Sequence, residues 1–408
     1  MEKKRIIFHV DVNNAFLSWT AVDLLKKGYS IDIRNIPAVI GGDERKRSGI
    51  VLAKSPVAKK YGIVTAETLY SARKKCPMIK VFSPNFEVYY EKSNLFYNYL
   101  TQYTPLIERF SVDECFLDMT GTNYLYQDYL ELAYKIKNEI KEKFGFTVNV
   151  GVANNKLCAK MASDFEKPDK VHTLFDDEIE NKMWPLPVGD LFMVGKSTAQ
   201  LLNKLKINTI GDLAHTDMNK LKKYFKNQAS FLKNSALGID FSKVEIRSNK
   251  RDSISVSETL PYDVVDIDEL KEVLLRQTEE VGRQLRRQKE YAGNIAIIFK
   301  NNLFQTYSHQ TTLNNVTDSN EEIYKCILDL LEVSWKKDPI RLIGMRLGEL
   351  TDKRNNQLSL FDEYIEEEEK DTNIQKILDD INEKYGDTSI MPASVRFSKF
   401  KKRPKKKK

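Results

Sequence analysis

Cysteine is scarce in this chain. Its 408 residues include four, Cys76, Cys115, Cys158 and Cys326, far apart and with no C-x-x-C pair. This excludes a disulfide framework and a thiolate metal site, and points to reduced, buried thiols in a cytosolic protein. Histidine is equally rare, with four residues and no metal-type spacing. No apolar run reaches the length of a membrane span, so no membrane partner is expected. The opening Met1-Glu2-Lys3-Lys4-Arg5 leads directly into a strand-like run and lacks the length of a signal peptide. No internal repeat is present. Net charge is missing where a nucleic-acid binder would need it. The formal excess is +7, but the last eight residues hold seven basic ones, so residues 1–400 are balanced. Any basic surface on the folded part must be local.

What is present suffices for several cores. Hydrophobic residues make up 41% of the chain, and the length suggests two to four domains. Two acidic patches stand out. Ile7-Phe8-His9-Val10-Asp11 is an apolar run ending in a carboxylate. Phe110-Ser111-Val112-Asp113-Glu114 precedes Cys115-Phe116-Leu117-Asp118. A carboxylate buried among apolar residues needs a partner. If the two runs are neighbouring strands, Asp11, Asp113 and Glu114 converge, and such an oxygen-only cluster favours Mg²⁺. Two such ions serve phosphoryl transfer, one activating the attacking oxygen and one stabilising the leaving oxygen. In the bland alternative, Asp11 caps a turn and Asp113-Glu114 merely ends a strand.

Periodicity organises the rest. Residues 5–12 predict a buried strand, residues 35–75 a small basic mixed unit, and residues 88–103 and 126–143 two helices. Strands are expected near 110–119 and 146–153. The first 165 residues thus suit an α+β sheet with helices on one face. Residues 171–240 predict short helices. Around Val194-Gly195-Lys196 they form either a helix-hairpin-helix, whose backbone amides face a phosphate, or an ordinary tight turn. Residues 242–254 predict a polar linker. Beyond it the order strand, helix, strand, strand, helix, strand predicts a split βαβ unit. One helix there carries Arg276, Arg283, Arg286 and Arg287 on its polar side. They form either a solvated face or part of a basic rim for a duplex backbone. A further helix is expected over 374–385.

The motifs in this order resemble Y-family DNA polymerases, the translesion enzymes, of the DinB or DNA polymerase IV type. Phe8-His9-Val10-Asp11-Val12-Asn13-Asn14-Ala15-Phe16 matches the family's opening strand and turn. Ser111-Val112-Asp113-Glu114-Cys115-Phe116-Leu117-Asp118 matches its S-x-D-E-x-x-L-D signature, and Gly151 to Pro168 matches its palm segment ending in K-P. The resemblance implies a multidomain α+β right-hand polymerase. The palm would be residues 1–23 and 78–170, the fingers 24–77, and the helix-hairpin-helix thumb 171–241. A linker would cover 242–253, the split-βαβ little finger 254–352, and a tail 353–408. It implies two Mg²⁺ held by Asp11, Asp113, Glu114 and the Val12 carbonyl. Nucleotide contacts would come from Asn14, Ala15, Lys59 and Lys167, with Phe16 as the steric gate. Gly195 and Lys196 would face DNA. The expected activity is template-dependent addition of dNTPs to a primer 3′ end at low fidelity, with lesion bypass, by a monomer in the bacterial cytoplasm near the nucleoid.

Four positions depart from the pattern. Pro56 stands where a tyrosine is usual, Lys59 where an arginine is usual, and Met193 where a glycine is common. Ala15 is small where many relatives are bulky. None of these touches the carboxylates. In the tail, Gln357-Leu358-Ser359-Leu360-Phe361 resembles the peptide by which bacterial polymerases bind the sliding clamp. Leu360 and Phe361 would fill an apolar pocket, while Gln357 and Leu358 complete the motif. The terminal lysines would attract DNA nonspecifically. A competing expectation is a catalytically silent, clamp-tethered scaffold, which should lack one or more of the three carboxylates. A two-metal nuclease or cyclase would leave the later domains unexplained.

Overall fold

The computed structural model describes residues 5–44, 47, 49–246, 251–353, 367–386 and 389–390. The chain divides into two compact units, residues 1–42 with 50–248, and residues 43–49 with 249–408.

In the first unit the apolar opening run becomes β1 (Ile7–Val12), buried over its whole length. Helix α1 (Ala15–Lys26) follows a two-residue turn. Next come β2 (Ala38–Gly41), β3 (Val51–Lys54), α2 (Pro56–Lys60), α3 (Leu69–Lys75) and β4 (Lys80–Phe82), whose strands form a separate sheet of order β3-β2-β4. Then α4 (Phe86–Leu100), β5 (Ile107–Arg109), β6 (Glu114–Asp118), α5 (Tyr129–Phe144), β7 (Val148–Ala153), α6 (Lys156–Asp164) and β8 (Val171–Leu174) complete the main sheet. Its order is β5-β6-β1-β7-β8, so β1 is central and carries covered side chains on both faces.

Side-chain alternation sorts those faces. Phe8, Val10 and Val12 share a core with Val88 and Phe96 of α4 and Leu132 and Ile136 of α5. Ile7 and Phe116 instead pack with Cys158, Ala159 and Met161 of α6. The expectation of helices on one face is therefore corrected: α6 covers the opposite face. Gly151 of β7 makes that approach possible. A Cβ there would lie 2.6 Å from the Ser163 amide nitrogen and closer still to the Ala159 carbonyl oxygen.

The short helices expected after residue 171 are α7 (Ile179–Lys182), α8 (Lys196–Lys204), α9 (Ile210–His215), α10 (Met218–Phe225) and α11 (Ala229–Ala236). They join the core on the α6 side through Leu202, Ile207, Leu213 and Leu232. A reciprocal cap starts α9. The Thr209 hydroxyl accepts from the Asp212 amide at 3.0 Å, and the Asp212 carboxylate accepts from the Thr209 amide at 2.9 Å.

The second unit runs β9 (Ser253–Val264), α12 (Ile267–Gln288), β10 (Tyr291–Asn301), β11 (Thr306–Thr317), α13 (Asn320–Ser334) and β12 (Ile340–Thr351), the expected split βαβ order. Its antiparallel sheet has the order β11-β10-β12-β9. The apolar stripe of α12, Leu270, Val273, Leu274, Val281 and Leu285, is buried against it. The polar side differs from expectation. Arg276 pairs with Glu258. Arg286, 5% exposed at its side chain, forks onto Asp379 of α14 (Glu367–Tyr385) at 2.6 and 3.2 Å. A bidentate fork of this kind is strong and directional. These two arginines are thus neither solvated nor a free basic rim. Helix α14 begins well before the expected 374. The clamp-like residues Gln357 to Phe361 and the terminal lysines lie outside the described residues.

Candidate active site

Antiparallel pairing of β1 with β6 sets Asp11 directly opposite Glu114, and the Val12 amide donates to the Asp113 carbonyl at 3.0 Å. Register partners project to the same face, so two of the three predicted carboxylates meet there. The third is held by its own turn: the Ser111 hydroxyl donates to the Asp113 carboxylate at 2.6 Å. Among the described residues, no three carboxylate, thiol or imidazole side chains stand close enough to hold a metal ion together. Lysines balance the charge instead. Lys167 donates to Asp11 and also pairs with Asp164 at 2.7 Å, while Lys160 donates to Glu114 and lies 3.5 Å from Asp164.

Burial pushes the Asp11 carboxyl up to about 6, opposed by Lys167 and Lys160 and reinforced by Glu114. Beneath them His9 is fully buried, and burial together with the two lysines drives its pKa well down. Its Nδ1 meets the Ser163 hydroxyl at 2.8 Å. The donor chemistry fits a hard divalent cation: all-oxygen, with two carboxylates paired in register.

The turn after β1 is tied down by amides. Asn13 donates to Asn149 at 3.1 Å and accepts from the Asp169 amide at 2.9 Å. Asn149, fully buried, donates to the carbonyls of Ser163 and Glu166 at 2.9 and 2.7 Å. This web binds the strand end to the segment carrying Lys167. Asn14 takes the left-handed conformation at φ 50° and donates to the Lys54 carbonyl at 2.8 Å. It thereby joins the turn to β3. Ala15 is buried. One residue on, the Phe16 ring stacks on Tyr89 at 4.7 Å and meets Phe86 and Trp19 edge-on at 6.5 and 6.4 Å.

Lys59 lies exposed on α2. The helix explains its neighbour: Ser55 caps it by accepting from the Ala58 amide at 2.9 Å, and Pro56 occupies the first turn, where its missing N–H is harmless. Gly195 and Lys196 begin α8, preceded only by a three-residue 3₁₀ turn, Val188–Asp190. The left-handed residue of that loop is Met193 at φ 70°, not Gly195.

With this geometry in view, the comparisons are specific. Residues 10–164 match the impB/mucB/samB family, residues 251–360 that family's C-terminal domain, and residues 176–207 the IMS family HHH motif. The chain belongs to this family. DNA polymerase IV of Clostridium acetobutylicum is 47% identical over 387 residues, covering 95% of this chain and 97% of that protein. DNA polymerase IV 1 of Bacillus subtilis is 35% identical, covering 94% and 91%. A solved Y-family DNA polymerase chimera superposes with a TM-score of 0.75 at 26% identity, covering 85% of this chain and all of that one. The resemblance to Y-family polymerases of the DNA polymerase IV type, read from the motifs, therefore holds for this impB/mucB/samB member, as does the palm, thumb and little-finger architecture.

Sequence reasoning did not single out Asn149, Lys160 or Asp164 as site residues. The signal for Asn149 was an amide inside the apolar run Val148 to Ala153, which must find buried partners. Lys160 and Asp164 are spaced four apart, the spacing of an ordinary helix-surface ion pair, which by itself marks no site.

Proposed function

We propose that this family member is a template-dependent DNA polymerase of the translesion type, adding dNTPs to a primer 3′ end. The observation that carries this reading is the placement of Asp11 opposite Glu114, one short turn before Phe16. Asp11, Asp113, Glu114 and the Val12 carbonyl would hold two Mg²⁺. When bound, these ions supply activation of the primer oxygen and neutralisation of the phosphate charge. The chain's own part is positioning. The Asn13–Asn149 web holds the strand end, Asn14 and Ala15 offer backbone amides to the triphosphate, and Lys59 and Lys167 supply cations. Phe16 stands against the sugar as its gate. Gly195 and Lys196 contact the DNA backbone at the start of α8.

Low fidelity, lesion bypass, action as a monomer and work at the nucleoid belong to the same proposal. So does attachment to a sliding clamp through Gln357, Leu358, Leu360 and Phe361. The intact carboxylate set disfavours a silent scaffold.

Primer extension with Mg²⁺ on plain and abasic templates tests the reading, wild type against Asp113→Ala/Glu114→Ala. Extension by the wild type alone is expected. Extension by neither, with clamp binding intact, would transfer the case to the scaffold. Deleting residues 357–361 should remove clamp-stimulated synthesis and spare basal synthesis.

A further inference from the structure

Five charged side chains are linked by close approaches of alternating sign, Glu114 to Lys160 to Asp164 to Lys167 to Asp11, and the series turns back on itself because Asp11 faces Glu114. Of the two carboxylates that end the series, Asp11 on β1 is buried and Glu114 on β6 is 17% exposed at its side chain, whereas Asp164 at the centre is 46% exposed. Building on the polymerase reading above, we propose that Asp164 is a positioning residue that receives Lys160 and Lys167 when a divalent cation takes Asp11 and Glu114.

The physical requirement is simple. An ammonium cannot keep its place on a carboxylate that has accepted a dication, because the like charges repel at short range. Each displaced lysine needs another acceptor within side-chain reach. Asp164 already meets Lys167 at 2.7 Å and lies 3.5 Å from Lys160 on the same helix. An ammonium has three donors, so sharing precedes transfer and needs no helix movement. Of the other carboxylates around the site, Asp113 accepts from the Ser111 hydroxyl, Glu108 is paired with Lys156, and the exposed Glu166 lies 3.3 Å from Lys170. His9 below offers no negative charge, and its Nδ1 is taken by Ser163. The lysines therefore act as resident counter-ions that stabilise the ion-free site, and Asp164 sets how readily they leave.

The test is Mn²⁺ binding followed by electron paramagnetic resonance, without DNA or nucleotide, alongside thermal midpoints in chelator. Asp164→Asn should weaken Mn²⁺ binding about two- to fivefold, the scale of a partly exposed ion pair. Lys160→Met should act oppositely, binding Mn²⁺ more tightly while its midpoint in chelator falls and recovers on Mn²⁺ addition. Lys160→Arg, which keeps the charge, should restore the wild-type midpoint. Equal affinity in wild type and Asp164→Asn, or weaker binding by a folded Lys160→Met, would overturn the proposal and leave the polymerase reading standing. A wild type that binds no Mn²⁺ here yet extends primers would likewise overturn the proposal alone, since substrate phosphates then complete the ion site; failure of primer extension is what would overturn the polymerase reading.

Discussion

Replacing Phe16 by alanine tests the link between packing and sugar choice. The ring is half-buried and braced on three sides, stacked on Tyr89 at 4.7 Å and edge-on to Phe86 and Trp19. Tyr89 is itself pinned, with its hydroxyl 3.0 Å from that of Thr20. Because the bracing prevents retreat, an added 2′-hydroxyl would be forced into a filled space. Overpacking of this kind costs about 1–3 kcal/mol, which corresponds to about 5- to 150-fold in relative kcat/KM. Phe16→Ala should lower the dNTP/rNTP ratio by that factor in single-nucleotide incorporation. It should also destabilise the protein, by about half of the 3–5 kcal/mol typical of a fully buried phenylalanine, measured by urea denaturation. Phe16→Tyr keeps the ring and should keep the ratio. A folded Phe16→Ala enzyme with unchanged sugar selectivity would refute the reasoning, since the ring would then be only a packing element.

Gly151→Ala would drive a methyl into the backbone of α6, and should destabilise by about 3 kcal/mol and lower primer extension; a stability change near zero would show that α6 is free to shift. Met193→Gly removes a side chain from a left-handed residue that is 66% exposed, and should stabilise by about 0.5–1 kcal/mol in chemical denaturation once the entropy of glycine is offset. Loss of stability there would mean that the methionine packs usefully. Arg286→Ala should release α14, seen as faster amide exchange over residues 375–385, with a loss of about 1–3 kcal/mol; unchanged exchange would show that the helix docks without the fork.

Much of the fold was legible because its signals are local. The β1 run is mostly apolar, and buried throughout, because it is the central strand of its sheet, covered on both faces. The stripe Leu270 to Leu285 predicted α12 and its buried side, since helix periodicity and burial coincide there. The alternation of strands and helices after residue 253 was enough to predict the split βαβ unit. Side occupancy was less legible. Nothing in residues 156–164 says which face of the sheet the helix will cover; that follows from Gly151, whose missing Cβ admits the helix backbone on one side. The arginines of α12 looked like a rim because their acidic partners, Glu258 and Asp379, lie on other elements.

The sequence by itself determined the inventory of the site: which carboxylates stand at strand ends, which aromatic follows the turn, and which family the motifs indicate. Tertiary structure alone decided who meets whom. Asp11 faces Glu114 only through strand register, and the lysines on them come from 46 and 156 residues away. Charge pairing across such separations is set by the close packing of helix on sheet. That packing depends on three-dimensional volume and contact, and no periodicity along the chain encodes it.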